Sequence, residues 1–503
     1  MRLILTLFIA GFIVSLSSCR KDFDFEPSSG NLRFSRDTVY LDTVFTNIGS
    51  STYTLKVYNK SDNDISIPQI KLGKGVDSKY RITVDGMTGD DNRLFENVEL
   101  LANDSMYVFI EVTADVASAN PTDFLYTDQI EFGVGTGIQK VELVTLIQDA
   151  VFLYPQRFDD GSTESITIGE DEIYGFVLDH ADHNDEYHFT NDKPYVIYGY
   201  AAVPNGETLT IDPGARVHFH ESSGILVGQG GAIQANGDWS LTDAQENQII
   251  FEGDRLEPGF ADIPGQWGTI WISPGAAASS FNHCTIKNGI IGLYVQNNPA
   301  GVSIKNTQIY DHSLYGIWGQ TATITGENVV VNTAGKATLN CSFGGNYQFT
   351  HCTFNNNWPS SSQFAVAIDN YLLDADGNPV PQDLILAEFR NCIVWSSNSR
   401  AFALFKNSNA AFNPKFDHCL LKFNNTGFES DPLYQFNDNV FYVNIVRNQN
   451  PNFWDVTRNQ LNINDNSGAI GVGKPEYTAL VPNDILNVTR VGSDAGAYQN
   501  AAP

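Results

Sequence analysis

The chain has 503 residues, is 42% hydrophobic and 17% charged, and carries a formal net charge of −29. Nucleic acid requires a basic footprint, so this balance excludes it as a partner. The same charge disfavours unassisted binding of polyanionic glycans.

At the N-terminus Arg2 precedes an apolar run, Leu3 to Leu16, that ends in Leu16-Ser-Ser-Cys19. A basic start, a short apolar core and small residues before the break form a secretory signal over residues 1–18. The run is too short for a membrane span. Leu-Ser-Ser-Cys resembles the lipobox of bacterial lipoproteins. That resemblance implies that Cys19 is acylated, becomes the first residue of the mature chain and holds it to the membrane. A plain cleaved signal with an incidental Cys is the alternative. Arg20, where inner-membrane lipoproteins carry Asp, resembles outer-membrane sorting. Lys21-Asp22-Phe-Asp24-Phe-Glu26 resembles the acidic export signal of surface lipoproteins, and an anchor facing the periplasm is the other reading. Residues 19–30 then form the tether of an outer-membrane, lipid-anchored protein at the cell surface.

Residues 31–150 alternate apolar and polar over short runs, among them Tyr53-Thr-Leu-Lys-Val-Tyr58, Tyr80-Arg-Ile-Thr-Val84 and Met106-Tyr-Val-Phe-Ile-Glu-Val112. About seven such runs separated by turn signals predict a β-sandwich. Asn47-Ile-Gly, Tyr53 to Asn59 and Leu100-Leu-Ala-Asn-Asp-Ser105 resemble immunoglobulin-like domains of the spindle-and-cilium type, which implies a spacing or presenting role. Residues 151–190 read as an acidic linker. Within it, Asp179-His180-Ala-Asp182-His183-Asn-Asp185-Glu186 has residue types suited to a metal, set against a reading as a solvated loop. No cofactor is expected, with bound Ca²⁺ as the alternative. Asp159-Asp160 and Asp90-Asp91-Asn92 are its candidate ligands, again set against solvated loop acids, and no Asp-x-Asp-x-Asp loop occurs.

The second half carries a repeat. It reads Phe281-x-His283-Cys284-x-Ile286, Ile304-x-Asn306-Thr307-x-Ile309, Phe349-x-His351-Cys352-x-Phe354, Phe389-x-Asn391-Cys392-x-Val394 and Phe416-x-His418-Cys419-x-Leu421. A looser copy, Ile324 to Val329, fills the gap after the second. The segments are rich in β-branched and aromatic residues and lack a helical period, which predicts a solenoid of short strands. Stacked coils place Phe281, Phe349, Phe389 and Phe416 in one interior column and the cysteines in another. The His and Asn positions fall at a bend, where Asn accepts left-handed backbone and His is less usual. The three His coils are therefore expected to bend differently.

This region resembles the right-handed parallel β-helix proteins of pectate-lyase type. The likeness rests on Pro194-Tyr-Val-Ile-Tyr-Gly199, Glu207-Thr-Leu-Thr-Ile-Asp-Pro-Gly-Ala-Arg-Val-His-Phe219, Gly224-Ile-Leu-Val-Gly228 and Gln248-Ile-Ile-Phe251. Asp431-Pro-Leu-Tyr434, Ser467-Gly-Ala-Ile-Gly471 and Asp494-Ala-Gly-Ala-Tyr498 resemble the closing segment of bacterial surface β-helix proteins. The resemblance places the β-helix at 191–428 and C-terminal coils and a cap at 429–503. The fold class is all-β, a right-handed parallel β-helix preceded by a small immunoglobulin-like β-sandwich. Function does not follow, because this scaffold carries unrelated activities.

Apart from Cys19 there are five cysteines, Cys284, Cys341, Cys352, Cys392 and Cys419. Stacked parallel strands aim equivalent side chains the same way, a poor geometry for a disulfide. They read as small buried hydrophobes, with a Cys341–Cys352 bridge as the alternative. His283, His351 and His418 fall on separate coils, which argues against a metal centre.

Alternation in Thr269-Ile270-Trp271-Ile272, Leu293-Tyr294-Val295 and Ile317-Trp318 turns the aliphatics in and Trp271, Tyr294 and Trp318 out. These three aromatics form a candidate glycan-binding ladder on consecutive coils. On the same face Asp369 is the outward acid, the single weak candidate for catalysis, with Phe405 as its neighbour. Lys287 and Lys305 point outward from other strands and read as solubilising residues. A glycosidase needs two carboxylates at a defined separation and a lyase needs a base beside a neutralising cation. Neither arrangement is legible. The stretch Asp374 to Asp383 reads as a loop inserted between coils.

Three readings stay open. The first is a lipid-anchored, non-enzymatic module that binds a polysaccharide or an envelope protein. The second is a polysaccharide lyase or glycoside hydrolase. The third is a structural subunit of an outer-membrane assembly.

Overall fold

The computed structural model describes residues 24–119, 124–169, 171–182 and 185–500. Cys19, the signal segment, the first residues of the tether and His183 lie outside the described residues. The chain divides into two compact units, one ending at Asp149 and one beginning at Ala150.

The first unit has two sheets. One holds Thr38–Phe45, Ile65–Leu72, Leu94–Leu100, Leu125–Phe132 and Gln139–Gln148, and the other Tyr53–Tyr58, Tyr80–Val84 and Ser105–Val112, each with short edge strands. The alternation read in the sequence sets which side is buried. Met106, Val108, Ile110 and Val112 point inward, while Tyr107 and Phe109 are exposed. Inward residues of both sheets merge into one core with Val39, Leu41, Ile67 and Ile130. Asp90-Asp91-Asn92 forms a tight turn in which Asp91 and Asn92 hold left-handed backbone and Asp91 pairs with Arg93.

The second unit is a parallel β-helix with three strands per coil. Ile270–Ile272, Ser279–Asn282 and Cys284–Lys287 make up one coil, and each pairs in parallel with its successor, Ile291–Gln296, Val302–Lys305 and Gln308–His312. These define a first, a second and a third face. The first coil begins earlier than the sequence suggested. Val151–Leu153, Asp171–Val177 and His188–Phe189 pair in parallel with strands one coil on. Residues 151–190 are therefore not a linker. Their acidic loops hid strands that contribute Leu153, Phe176 and Phe189 to the interior. The loop acids close turns: Asp160 accepts from the amide and hydroxyl of Ser162, and exposed His180 lies 2.9 Å from Asp185 and 3.2 Å from Glu207.

The interior columns follow the repeat. Phe281, Ile304, Gly326, Phe349, Phe389, Phe416 and Tyr442 are in register on successive coils. The looser copy is thus shifted: Gly326, not Ile324, occupies the aromatic position. A Cβ at Gly326 would overlap Cδ1 of Phe349, whose ring fills that space. Cys352, Cys392 and Cys419 stack in file, each thiol accepting from an amide at 3.4 Å. All five described cysteines are free and buried, so Cys341 and Cys352 form no bridge. Burial pushes the Cys284 thiol up to about 12.

The three His coils bend like the others. His283, Asn306, Asn328, His351, Asn391, His418 and Asn444 all hold φ between 46° and 53°. The imidazole takes the place of an amide in the same ladder, because its Nε2 accepts from the Asn side chain one coil on.

The C-terminal segment does two things. Tyr434 and Tyr442 join the interior cluster, with Phe436 packed against it. Residues 453–500 then run back along the outside of the third face, where Leu461, Ile485 and Tyr498 pack on Val330, and Ile463 and Ala495 pack on Ile393 and Leu420. That face is apolar outside as well as inside and requires a cover. The inserted loop is a hairpin of Tyr371–Leu373 with Pro379–Pro381.

Candidate functional site

Trp271, Tyr294 and Trp318 are in register on the first face, with Ile270, Ile272, Leu293, Val295 and Ile317 fully buried beneath. Parallel pairing carries the rings into stacks with centroids 5.7 Å and then 4.4 Å apart, tilted by 24° and 22°. Tyr315 joins at 5.2 Å from Trp318. The ring faces are therefore turned toward one another, and solvent meets their edges. Burial in the stack pushes the Tyr294 phenol up to about 12.

The next outward column, two residues on, holds Gln296 and Gln320, which sequence analysis did not single out although alternation from Tyr294 and Trp318 leads to them. They tie the strip together. Tyr294 donates its hydroxyl to Gln320 Oε1 at 2.7 Å, and Trp318 Nε1 donates to Ser342 Oγ at 2.8 Å. A recess of about 310 Å³ opens beside them, lined by Gln296, Asn297, Gln320, Thr321, Phe343 and Gln382. Gln382 comes from the end of the inserted hairpin, which places that insertion at the rim.

Asp369 lies on the same face, directly paired with Phe405. Its carboxylate accepts from the amide of Phe343 at 2.7 Å and so holds a left-handed turn (Phe343 φ 51°). Burial pushes its pKa up to about 6 against that hydrogen bond. Two other outward acids of the β-helix, Glu388 and Asp417, are engaged. Glu388 lies between Arg390 (2.6 Å) and Lys415 (3.0 Å), and Asp417 contacts His418, Lys415 and Tyr477. Lys287 is not a free solubilising residue. It is largely buried and pairs with Glu252 at 2.8 Å, whereas Lys305 makes an exposed pair with Glu327.

These features define the class: an all-β protein whose larger unit is a right-handed parallel β-helix. A family model described as the right-handed β-helix region matches residues 215–375. No curated protein matches the chain. Among solved structures, the catalytic unit of the thermostable GH87 alpha-1,3-glucanase from Streptomyces thermodiastaticus strain HF3-3 is similar at 10% identity with a TM-score of 0.25, covering 73% of this chain and 79% of that one. The E. coli chaperone DraB is similar at 15% identity with a TM-score of 0.17, covering 24% of this chain and 57% of its own. The PapD-like domain 7 of human CEP192 is similar at 13% identity with a TM-score of 0.16, covering 27% of this chain and 96% of that one. TM-scores this low carry no functional argument.

Proposed function

We propose that the protein is a lipid-anchored, non-enzymatic module of the bacterial outer membrane, displayed at the cell surface, that holds a glycan or another envelope component on its first face. The strip of aromatic edges beside the Gln296 and Gln320 amides is the observation that carries this reading. Ring edges offer apolar contact to sugar C–H groups, and the amides match sugar hydroxyls in both donor and acceptor roles. Because the rings stack on one another, each sugar contact is partial, so the expected affinity is modest. The first unit serves as an immunoglobulin-like spacer, and Cys19 as the acylated anchor.

The test is binding of the purified protein to a panel of uncharged and anionic glycans, with Trp318→Ala beside it. Binding weakened several-fold in the variant supports the strip; unchanged binding removes it from the account. Labelling of cells with a palmitate analogue, lost in Cys19→Ala, tests the anchor separately. A second reading, a glycoside hydrolase or lyase, rests on Asp369, whose raised pKa suits a general acid near neutrality. Turnover of any panel glycan that disappears in Asp369→Asn would favour it.

A further inference from the structure

A second, larger recess of about 660 Å³ lies on the third face, within the size range of small-ligand sites. Two tryptophans flank it. Trp239 stands in the loop between the second-face strand Ala232–Asn236 and the third-face strand Ile249–Gly253, and Trp454 in the C-terminal hairpin of Phe453–Asp455 with Gln460–Ile463. Both are exposed, at 37% and 61%. Among the described residues neither ring stacks on another aromatic, unlike Trp271, Tyr294 and Trp318.

The lining between them includes several neutral amides, Gln248 and Gln308 among them. Gln248 Oε1 accepts from Thr285 Oγ1 at 3.2 Å, and Gln308 Oε1 accepts from Asn459 Nδ2 at 2.9 Å. Both carbonyl oxygens are thereby held, and among the described residues neither amide nitrogen has a protein acceptor. The Gln248 and Gln308 amides line the same recess as the two indoles. The charged groups at the rim do not call for an ion: Arg458 already faces Asp455 at 3.8 Å, and Asp243 stands opposite.

We infer that this recess is a second carbohydrate-binding site, one that takes an uncharged oligosaccharide between Trp239 and Trp454. Sugar C–H faces stack on the indoles, and hydroxyls pair with the Gln248 and Gln308 amides. An anionic sugar would meet Asp243 and a protein of net charge −29 without an unpaired cation at the site. The site is independent of the first-face strip.

The experiment uses the protein purified from cells in mild detergent and titrated with laminari-, cello-, malto-, manno- and chito-oligosaccharides. At least one should bind, and Trp239→Ala with Trp454→Ala should weaken it tenfold or more, with Trp318→Ala measured beside them as the variant of the first-face strip. In the unmodified protein the same sugar should protect Trp239 and Trp454 from N-bromosuccinimide, a reading that needs no variant. No binding across the panel, undiminished binding in the double variant, loss only in Trp318→Ala, or oxidation unaffected by sugar would each overturn the inference.

Discussion

Asn391 Nδ2 lies 3.0 Å from Nε2 of His351 one coil away, and both residues hold left-handed backbone. The amide donates, so Nε2 accepts and the buried imidazole is neutral. Burial, with the Arg490 charge nearby, pushes its pKa down to about 3. From sequence alone His is the odd member of this column. In the structure it is a neutral substitute for Asn.

That neutrality makes stability depend on pH. The unfolded chain takes up a proton at His351 near 6.5, the folded chain only near 3. The stabilising contribution is therefore complete above about pH 6.5 and declines as the pH falls toward 3. His351→Asn keeps the ladder and removes the titration. Between pH 7 and 4 the native protein should lose about 3 kcal/mol more than the variant in urea unfolding. Parallel losses in both would show that His351 does not titrate this way.

Gly326 leaves room for the Phe349 ring in the aromatic column. Gly326→Val should cost about 1–3 kcal/mol by overpacking. Phe349→Leu, made in the same chain, should return part of that loss. Strictly additive costs in the double variant would mean that the two positions do not share the space.

Cys284, Cys341, Cys352, Cys392 and Cys419 are sealed in the interior, out of reach of a reagent in solvent, and burial disfavours the reactive thiolate at Cys284, Cys341, Cys352 and Cys419. In the folded protein Ellman's reagent should leave all five unmodified, and in denaturant all five should react. Prompt modification of any of them without denaturant would place it outside the column.

The segment along the third face is fastened by Arg490, which donates to Asn328 Oδ1 at 2.7 Å and to the Gly496 and Ala497 carbonyls, both at 3.2 Å. Arg490→Ala leaves those buried acceptors unmatched. It should cost about 2–4 kcal/mol and open residues 453–500 to limited proteolysis. A cleavage pattern identical to that of the native protein would show that the segment is held by its apolar contacts alone.

The sequence by itself determined the solenoid, its interior columns and the outward direction of Trp271, Tyr294 and Trp318. A parallel coil repeats its register, so inside and outside can be counted along one strand. The sequence also placed Asp369 beside Phe405. It could not give the angle between ring planes, which decides that the ladder shows edges rather than faces, nor the strands hidden in the acidic stretch before residue 191. Only the tertiary structure decided that residues 453–500 return along the third face and bring Trp454 opposite Trp239. Those two lie on segments separated by most of the β-helix, and no local periodicity records a contact made by a chain that doubles back to cover an apolar surface.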